Sequence, residues 1–179
     1  HISDPVLKKM NRKITRKEIE ATMARVRRKL PDVAWRTTFI VGFPTETDQD
    51  FEELVDFVSE GHFQHLGIFL YSDEDNIRSS KFGDPIPISL KEERKNRLME
   101  IQQKISREHH QKMVGSLQQV LVGGFSSETD LLLEGRNQYQ GPEVDGVVYI
   151  NEGNATSAGF HQVEITEAHE YDLVGKILN

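Results

Sequence analysis

The sequence predicts an incomplete α/β domain followed by a small all-β barrel. Three observations carry this reading. Apolar strands start at residues 36 and 66 with a helical pattern between them, the length of a strand–helix–strand unit whose strands run parallel. From Leu117 onward the pattern changes to five short β segments, "LQQVLV", "DLLLEGR", "GVVYI", "HQVEIT" and "DLVGKIL", separated by glycine-bearing turns. Such spacing points to a small antiparallel barrel. The charge changes at the same place: residues 1–113 hold 20 Lys/Arg against 19 Asp/Glu, whereas residues 114–179 hold 2 against 10.

The elements follow in order. Thr15 and Glu18 form an S/T-x-x-E capping box, after which Ile19, Met23, Val26 and Leu30 recur at helical spacing until Pro31. Arg36–Val41 reads as a strand, apolar and β-branched towards its end. Thr47 is the expected N-cap of a helix whose Phe51, Leu54, Val55 and Val58 share one face. Gly61 suits the left-handed position beyond that helix. Leu66–Tyr71 is the second strand. After the connector "GDPIPIS", Ser89 and Glu92 form another capping box for a helix through about Met113, with Leu98, Ile101, Ile105 and Met113 as a sparse apolar stripe. Gly115 ends it.

Two strands can neither fill a sheet nor close a barrel. Residues 1–85 are therefore expected to be the latter part of a larger α/β domain. Residues 86–114 form a connecting helix and residues 115–179 a five-stranded, OB-like barrel.

Composition narrows the class. With 28% charged and 36% hydrophobic residues, the chain has the balance of a soluble globular protein. Its longest apolar runs are far short of the roughly 20 residues that span a membrane, and no leader is visible, so a cytoplasmic monomer is expected. The absence of cysteine excludes disulfides and any cysteine-ligated metal carried by these residues. The net −8 of residues 114–179 should repel phosphate backbones and favour a basic partner.

Ligands in open parallel sheets and α/β barrels lie beyond the carboxyl ends of the strands. One such end is Val41-Gly42-Phe43-Pro44, where Gly42 permits close backbone approach and the amides after Thr47 can meet a polar group. An ordinary strand-to-helix connection explains the same residues. The other end is "YSDED", Tyr71 to Asp75, an aromatic ring with three carboxylates. Arg36, at the start of the first strand, is either a carboxylate partner or surface charge. His62/His65 and His109/His110 match no metal spacing, and no nucleophile-elbow, Walker or dinucleotide fingerprint occurs.

Longer stretches resemble a known family. "HISDPVLKKMNRK", "RTTFIVGFPTETDQDFEELVDFV" and "GIFLYSDED" are similar to the second half of the TIM-like radical S-adenosylmethionine (SAM) barrel of the methylthiotransferases. "GPEVDGVVYI" and "EYDLVGKI" are similar to their TRAM domain. Within that family the resemblance is to the ribosomal-protein aspartate methylthiotransferases, and it covers essentially the whole chain. It implies S-adenosylmethionine and two [4Fe-4S] clusters in the full-length protein, none of them ligated by this chain. It also implies transfer of a methylthio group to the β-carbon of an aspartate in a basic small-subunit ribosomal protein. The corner after the first strand would then lie by the adenosyl group, with Ile40, Val41 and Gly42 on the adenine side and Tyr71 and Ser72 closing the pocket. His1, Ser3 and Arg36 complete the expected cofactor set. Glu143, Asp145, Glu170 and Asp172 are the expected contacts to the ribosomal protein. Two departures from the family pattern are Thr45, where a glycine is usual, and Asn76-Ile77, where Gly-Thr is usual. The alternatives are a tRNA-adenosine methylthiotransferase and a non-enzymatic protein-binding module.

Overall fold

The structure, a computed structural model, describes residues 1–74, 79–153 and 158–178. Asp75, Asn76 and Ile77 lie outside the described residues. The chain divides into two compact units, His1–Gln102 and Gln103–Asn179.

In the first unit, α1 (Asp4–Lys9) precedes α2 (Arg16–Lys29), β1 (Arg36–Val41), α3 (Asp48–Ser59) and β2 (His65–Leu70). Both predicted helix starts before β2 are real. The Thr15 hydroxyl accepts from the Glu18 amide while the Glu18 carboxylate accepts from the Thr15 amide, and Thr47 and Asp50 repeat the exchange at α3. Gly61 follows α3 with φ of 71°. β1 and β2 pair in parallel from Arg36↔His65 to Val41↔Leu70.

The helix-facing side of this sheet is a dry core. Phe39, Val41 and Ile68 pack with Phe51, Leu54, Val55, Phe57 and Val58 of α3. Phe39, Phe57 and Phe63 meet edge to face at centroid distances of 5.7–6.5 Å. Fully burying one such side chain contributes roughly 1.5–3 kcal/mol. The opposite side is another matter. Parallel sheets are normally covered on both faces, yet Phe69, which alternates with Ile68, is 64% exposed. The sheet has two strands, and its outer edges carry no further strand among the described residues.

α4 (Ile88–Gln111) starts earlier than the sequence implied. The Pro87 carbonyl accepts from the Leu90 and Lys91 amides, so Ser89 lies inside the first turn and is not its cap. The apolar stripe also needs correction. Leu98 is buried as expected, but it shares its face with Lys91, Arg94 and Gln102, all no more than 3% exposed. Gln102 Nε2 donates to the carbonyls of Phe63 and Gln64 at 3.0 and 3.3 Å, satisfying main chain at the entry to β2.

The second unit contains β3 (Leu117–Phe125), β4 (Leu133–Arg136), β5 (Val148–Glu152), β6 (Gly159–Ala168) and β7 (Leu173–Ile177). They close into a barrel in the order β3-β4-β5-β7-β6. All five predicted strands are present. The pairing is antiparallel except between β5 and β7, which run parallel; a uniformly antiparallel barrel is thus corrected to a mixed one of OB type. Val120, Val122, Val148, Ile150, Val163, Ile165, Leu173 and Ile177 fill the interior.

Three glycines make that closure tight enough. A β-carbon at Gly135 would lie 2.6 Å from Val120, and one at Gly175 would lie 2.5 Å from Val163. At Gly146 it would lie 1.8 Å from the Tyr171 carbonyl oxygen. Gly146→Ala is expected to destabilise the barrel by about 1–3 kcal/mol through overpacking. Gly123→Ala, whose β-carbon meets its nearest neighbour at 3.9 Å, should change stability by less than about 0.5 kcal/mol. Denaturant titration followed by circular dichroism checks both; equal effects would refute the packing argument.

Candidate functional site

The strand tips of the first unit are held by a buried charged network. After β1 the chain turns at Gly42, with φ of 75°, and the Gly42 amide donates to Glu46 Oε2 at 3.0 Å. Glu46 has a fully buried side chain, and Arg94 of α4 donates to its other oxygen at 2.6 Å. Arg94 also reaches Asp48 at 2.6 Å and lies over the Phe51 ring at 5.2 Å. A buried carboxylate is tolerated only when paired and hydrogen-bonded, and both conditions are met here.

Lys91 ties the two strand tips together. Its aliphatic stem occupies the space that a side chain at position 42 would need: a β-carbon on Gly42 would lie 2.4 Å from Lys91 Cγ. Its Nζ donates to the Tyr71 carbonyl at 2.9 Å and to Asp84 at 2.5 and 2.6 Å. The same cation lies 5.4 Å from the Tyr71 ring centre. Gly42 therefore serves close approach, as expected, but the approaching group described is a lysine of this chain.

The expected cofactor residues fall into three sets. Ile40, Tyr71 and Ser72 line one cavity of about 510 Å³ at the carboxyl ends of the strands, with Arg12, Phe43 and Leu70. Tyr71 is buried there, edge to face with Phe43 at 5.3 Å, while Ser72 is exposed. His1, Arg36 and Ile40 line a second cavity of about 450 Å³ beside β1, with Trp35 and Phe39. Val41 and Ser3 are fully buried, Val41 in the helix-facing core, and Ser3 bonds to Asp50 through its hydroxyl. His1 Nδ1 accepts from the Ile2 and Ser3 amides at 3.0 and 3.1 Å. Its Nε2 lies 3.3 Å from Glu46 Oε2, out of hydrogen-bond alignment.

Asp50 links this arrangement to α3. Burial opposes its ionisation, but hydrogen bonds from the Ser3 and Thr47 hydroxyls and the Thr47 amide outweigh that, and its carboxyl stays below the ordinary value. Sequence reading overlooked Glu46, Asp50, Lys91 and Arg94 as parts of one site. The signal available was the second capping box, Thr47 with Asp50; nothing local marks Lys91 or Arg94 as buried.

In the second unit, the expected protein contacts behave differently from one another. Glu143 is exposed, with φ of 62°. Glu170 lies 3.3 Å from Arg107. Asp145 accepts from the Gly141 amide at 2.6 Å, and Asp172 accepts from the Val147 amide at 2.8 Å. With the Leu173 amide bonded to the Val147 carbonyl at 2.9 Å, Asp172 fixes the start of the parallel β5–β7 pair. The "DG…YD" residues thus build the barrel in addition to charging it.

The donor set is selective. The cavity at the strand tips offers branched, aromatic and hydroxyl groups suited to one wall of an adenosyl ligand. A thiolate-held cluster finds no ligand in a chain without cysteine. Among the described residues, no group of three or more His, Asp or Glu could hold a metal ion, and no helix is long and apolar enough to cross a membrane.

Comparison with known proteins accords with this division. Residues 1–58 match the Radical SAM superfamily and residues 114–178 match the TRAM domain. The ribosomal protein uS12 methylthiotransferase RimO of Bdellovibrio bacteriovorus is 50% identical over 178 residues, 99% of this chain and 39% of the relative. That of Geobacter sulfurreducens is 43% identical over 179 residues, 100% of this chain and 40% of the relative. That of Anaeromyxobacter sp. is 45% identical over 178 residues, 99% and 38% respectively. The chain spans about two-fifths of the length of these relatives.

Two outcomes test the network. Lys91→Met, which keeps the stem and removes the cation, should destabilise the first unit by about 2 kcal/mol by leaving the Tyr71 carbonyl and Asp84 without their donor; Trp35 fluorescence during denaturant unfolding reports it. Because the Asp50 carboxyl is depressed on folding, its contribution is complete above the ordinary carboxylate range and is lost as pH falls through the lower folded value. Asp50→Asn should flatten the acid side of the stability profile, and an unchanged profile would remove Asp50 from the account.

Proposed function

We propose that the chain is part of a radical SAM methylthiotransferase, about two-fifths of whose length it matches, and that it forms one wall of an adenosyl pocket joined to a protein-docking barrel. Residues 1–85 form the later part of the radical SAM barrel, 86–114 the connecting helix and 115–179 the TRAM domain. The parent enzyme attaches a methylthio group to the β-carbon of an aspartate in ribosomal protein uS12, in the cytoplasm. The observation that supports this reading is the cavity at the strand tips, which Ile40, Tyr71 and Ser72 line together.

Each part has a defined task. S-adenosylmethionine, when bound with a cluster ligated outside these residues, supplies the hydrogen-abstracting chemistry. Ile40 and Phe43 give the adenine an apolar wall, and Tyr71 and Ser72 bring main-chain and hydroxyl groups to the ribose side. Lys91, Arg94 and Glu46 fix the two strand tips relative to one another, since a misplacement of about 1 Å is costly at a reacting centre. His1, Ser3, Arg36, Val41 and Gly42 shape the surrounding backbone.

The second unit supplies the docking surface. Within it, the ten carboxylates against two cations of residues 114–179 favour a basic protein and disfavour the tRNA of the alternative reading. Glu143 and Glu170 are the rim contacts. Asp145 and Asp172 add negative potential from positions fixed by the main chain. The double variant Glu143→Gln/Glu170→Gln should weaken binding of purified uS12 several-fold, with most of the change in the association rate and a reduced salt dependence. Surface plasmon resonance against uS12 measures both quantities. No capture of uS12 by the wild-type chain, or a double variant unaltered towards uS12, would sink the proposal. Reconstitution of this chain with iron and sulfide under anaerobic conditions should leave neither cluster absorbance nor cofactor cleavage.

A further inference from the structure

Residues 8–29 contain ten Lys/Arg and two Glu, a cationic block within a first unit that is otherwise acidic. We propose that the outward face of α2, with the loop before it, binds the phosphate backbone of RNA.

The two carboxylates do little to cancel the block. Glu18 is held in the capping box by Thr15, and Glu20 is paired with Arg16 at 2.7 Å. Arg27 turns towards the His62 carbonyl at 3.3 Å. Arg12, Lys13, Lys17, Arg25, Arg28 and Lys29 are all exposed, and they make no ion pair among the described residues.

The spacing turns these charges into a surface. Ile19 and Met23 face the core. At 3.6 residues per turn, Lys17, Arg25 and Arg28 project from the opposite side within about 100° of arc, along roughly 16 Å of helix. Ala21 and Ala24 lie between them, so a bulky polyanion can approach the helix closely. The face holds no aromatic ring on which a base could stack. It should therefore grip phosphates without reading sequence.

A membrane fits this face poorly. Interfacial helices sink an apolar side into lipid, whereas the apolar side of α2 is committed to the protein core. Ile14 and Leu30, 40% and 57% exposed, stand beyond its two ends. RNA has the required charge density and needs no apolar insertion. Under the function proposed above, on which only the identity of the partner rests, this RNA is the ribosomal RNA flanking the target protein. The enzyme would then meet its substrate as a ribonucleoprotein, with an acidic surface for the protein and a basic one for the nucleic acid.

The test uses the 179-residue chain and a fluorescein-labelled RNA hairpin, with anisotropy measured across a salt series. Wild-type affinity should fall steeply with salt. Lys17→Glu/Arg25→Glu/Arg28→Glu should lose tenfold or more in affinity and about two to three units of the log–log salt slope, at roughly 0.7–0.9 per phosphate contact. The triple alanine variant should lose a similar slope, and it carries the test if the reversed variant fails to fold, since alanine is the best helix former. The Glu143→Gln/Glu170→Gln variant should bind the hairpin no more weakly than wild type, which separates this proposal from the docking of uS12. Wild-type binding to phosphatidylserine vesicles but not to RNA would overturn it. So would unchanged RNA binding by the triple alanine variant, or no binding of RNA by the wild-type chain.

Discussion

The first unit depends on how a buried carboxylate is satisfied. Glu46 has no access to water, and removing a charge from solvent costs several kcal/mol unless partners replace the lost hydration. The Gly42 amide and the Arg94 guanidinium are those partners, the first lying four residues before Glu46 and the second 48 residues after it. Pairing them brings α4 against the β1–α3 corner. Once α4 is there, Lys91 falls across Gly42 and reaches the Tyr71 carbonyl. The geometry of both strand tips thus follows from the need to neutralise one side chain.

Apolar periodicity and capping chemistry were legible in the sequence. Arg36–Val41 was read with its observed bounds, α3 was found with its buried face, and all five barrel strands were located. These succeed because period-2 and period-3.6 patterns report burial directly. What escaped was burial without apolarity. Lys91, Arg94 and Gln102 read as a solvated face, since their partners, apart from Asp84 seven positions before Lys91, lie 20 to 48 positions away. The supposed cap at Ser89 failed for a related reason: the Pro87 carbonyl already accepts from the first amides of α4. The parallel β5–β7 pair was missed because strand direction is a property of connectivity, and five short strands look alike whichever way they run.

The candidate site was legible to a lesser degree. Position along the fold, at a strand carboxyl end, selected Tyr71 and Ser72, the resemblance added Ile40, and those side chains share a cavity. Residue type alone misled where a polar group serves the main chain: Asp145 and Asp172 look like free surface charge but hold amides. The exposed face of the β1–β2 sheet carries the complementary lesson. An aromatic residue such as Phe69 at 64% exposure is apolar surface that further elements of an α/β barrel would cover.

The strand order of the second unit bears on when it can fold. β7 sits between β5 and β6, so the strand of this barrel that is synthesised last is the one that joins its two open edges. Until Leu173–Ile177 emerge, β5 and β6 each lack a neighbour and Gly175 cannot seat against Val163. The first four staves pair in the order β6-β3-β4-β5 but must wait as an open sheet with two bare edges, a state prone to wrong association there. Synthesis of this barrel therefore ends with its closure, and any pause just before residue 173 would prolong its most vulnerable stage.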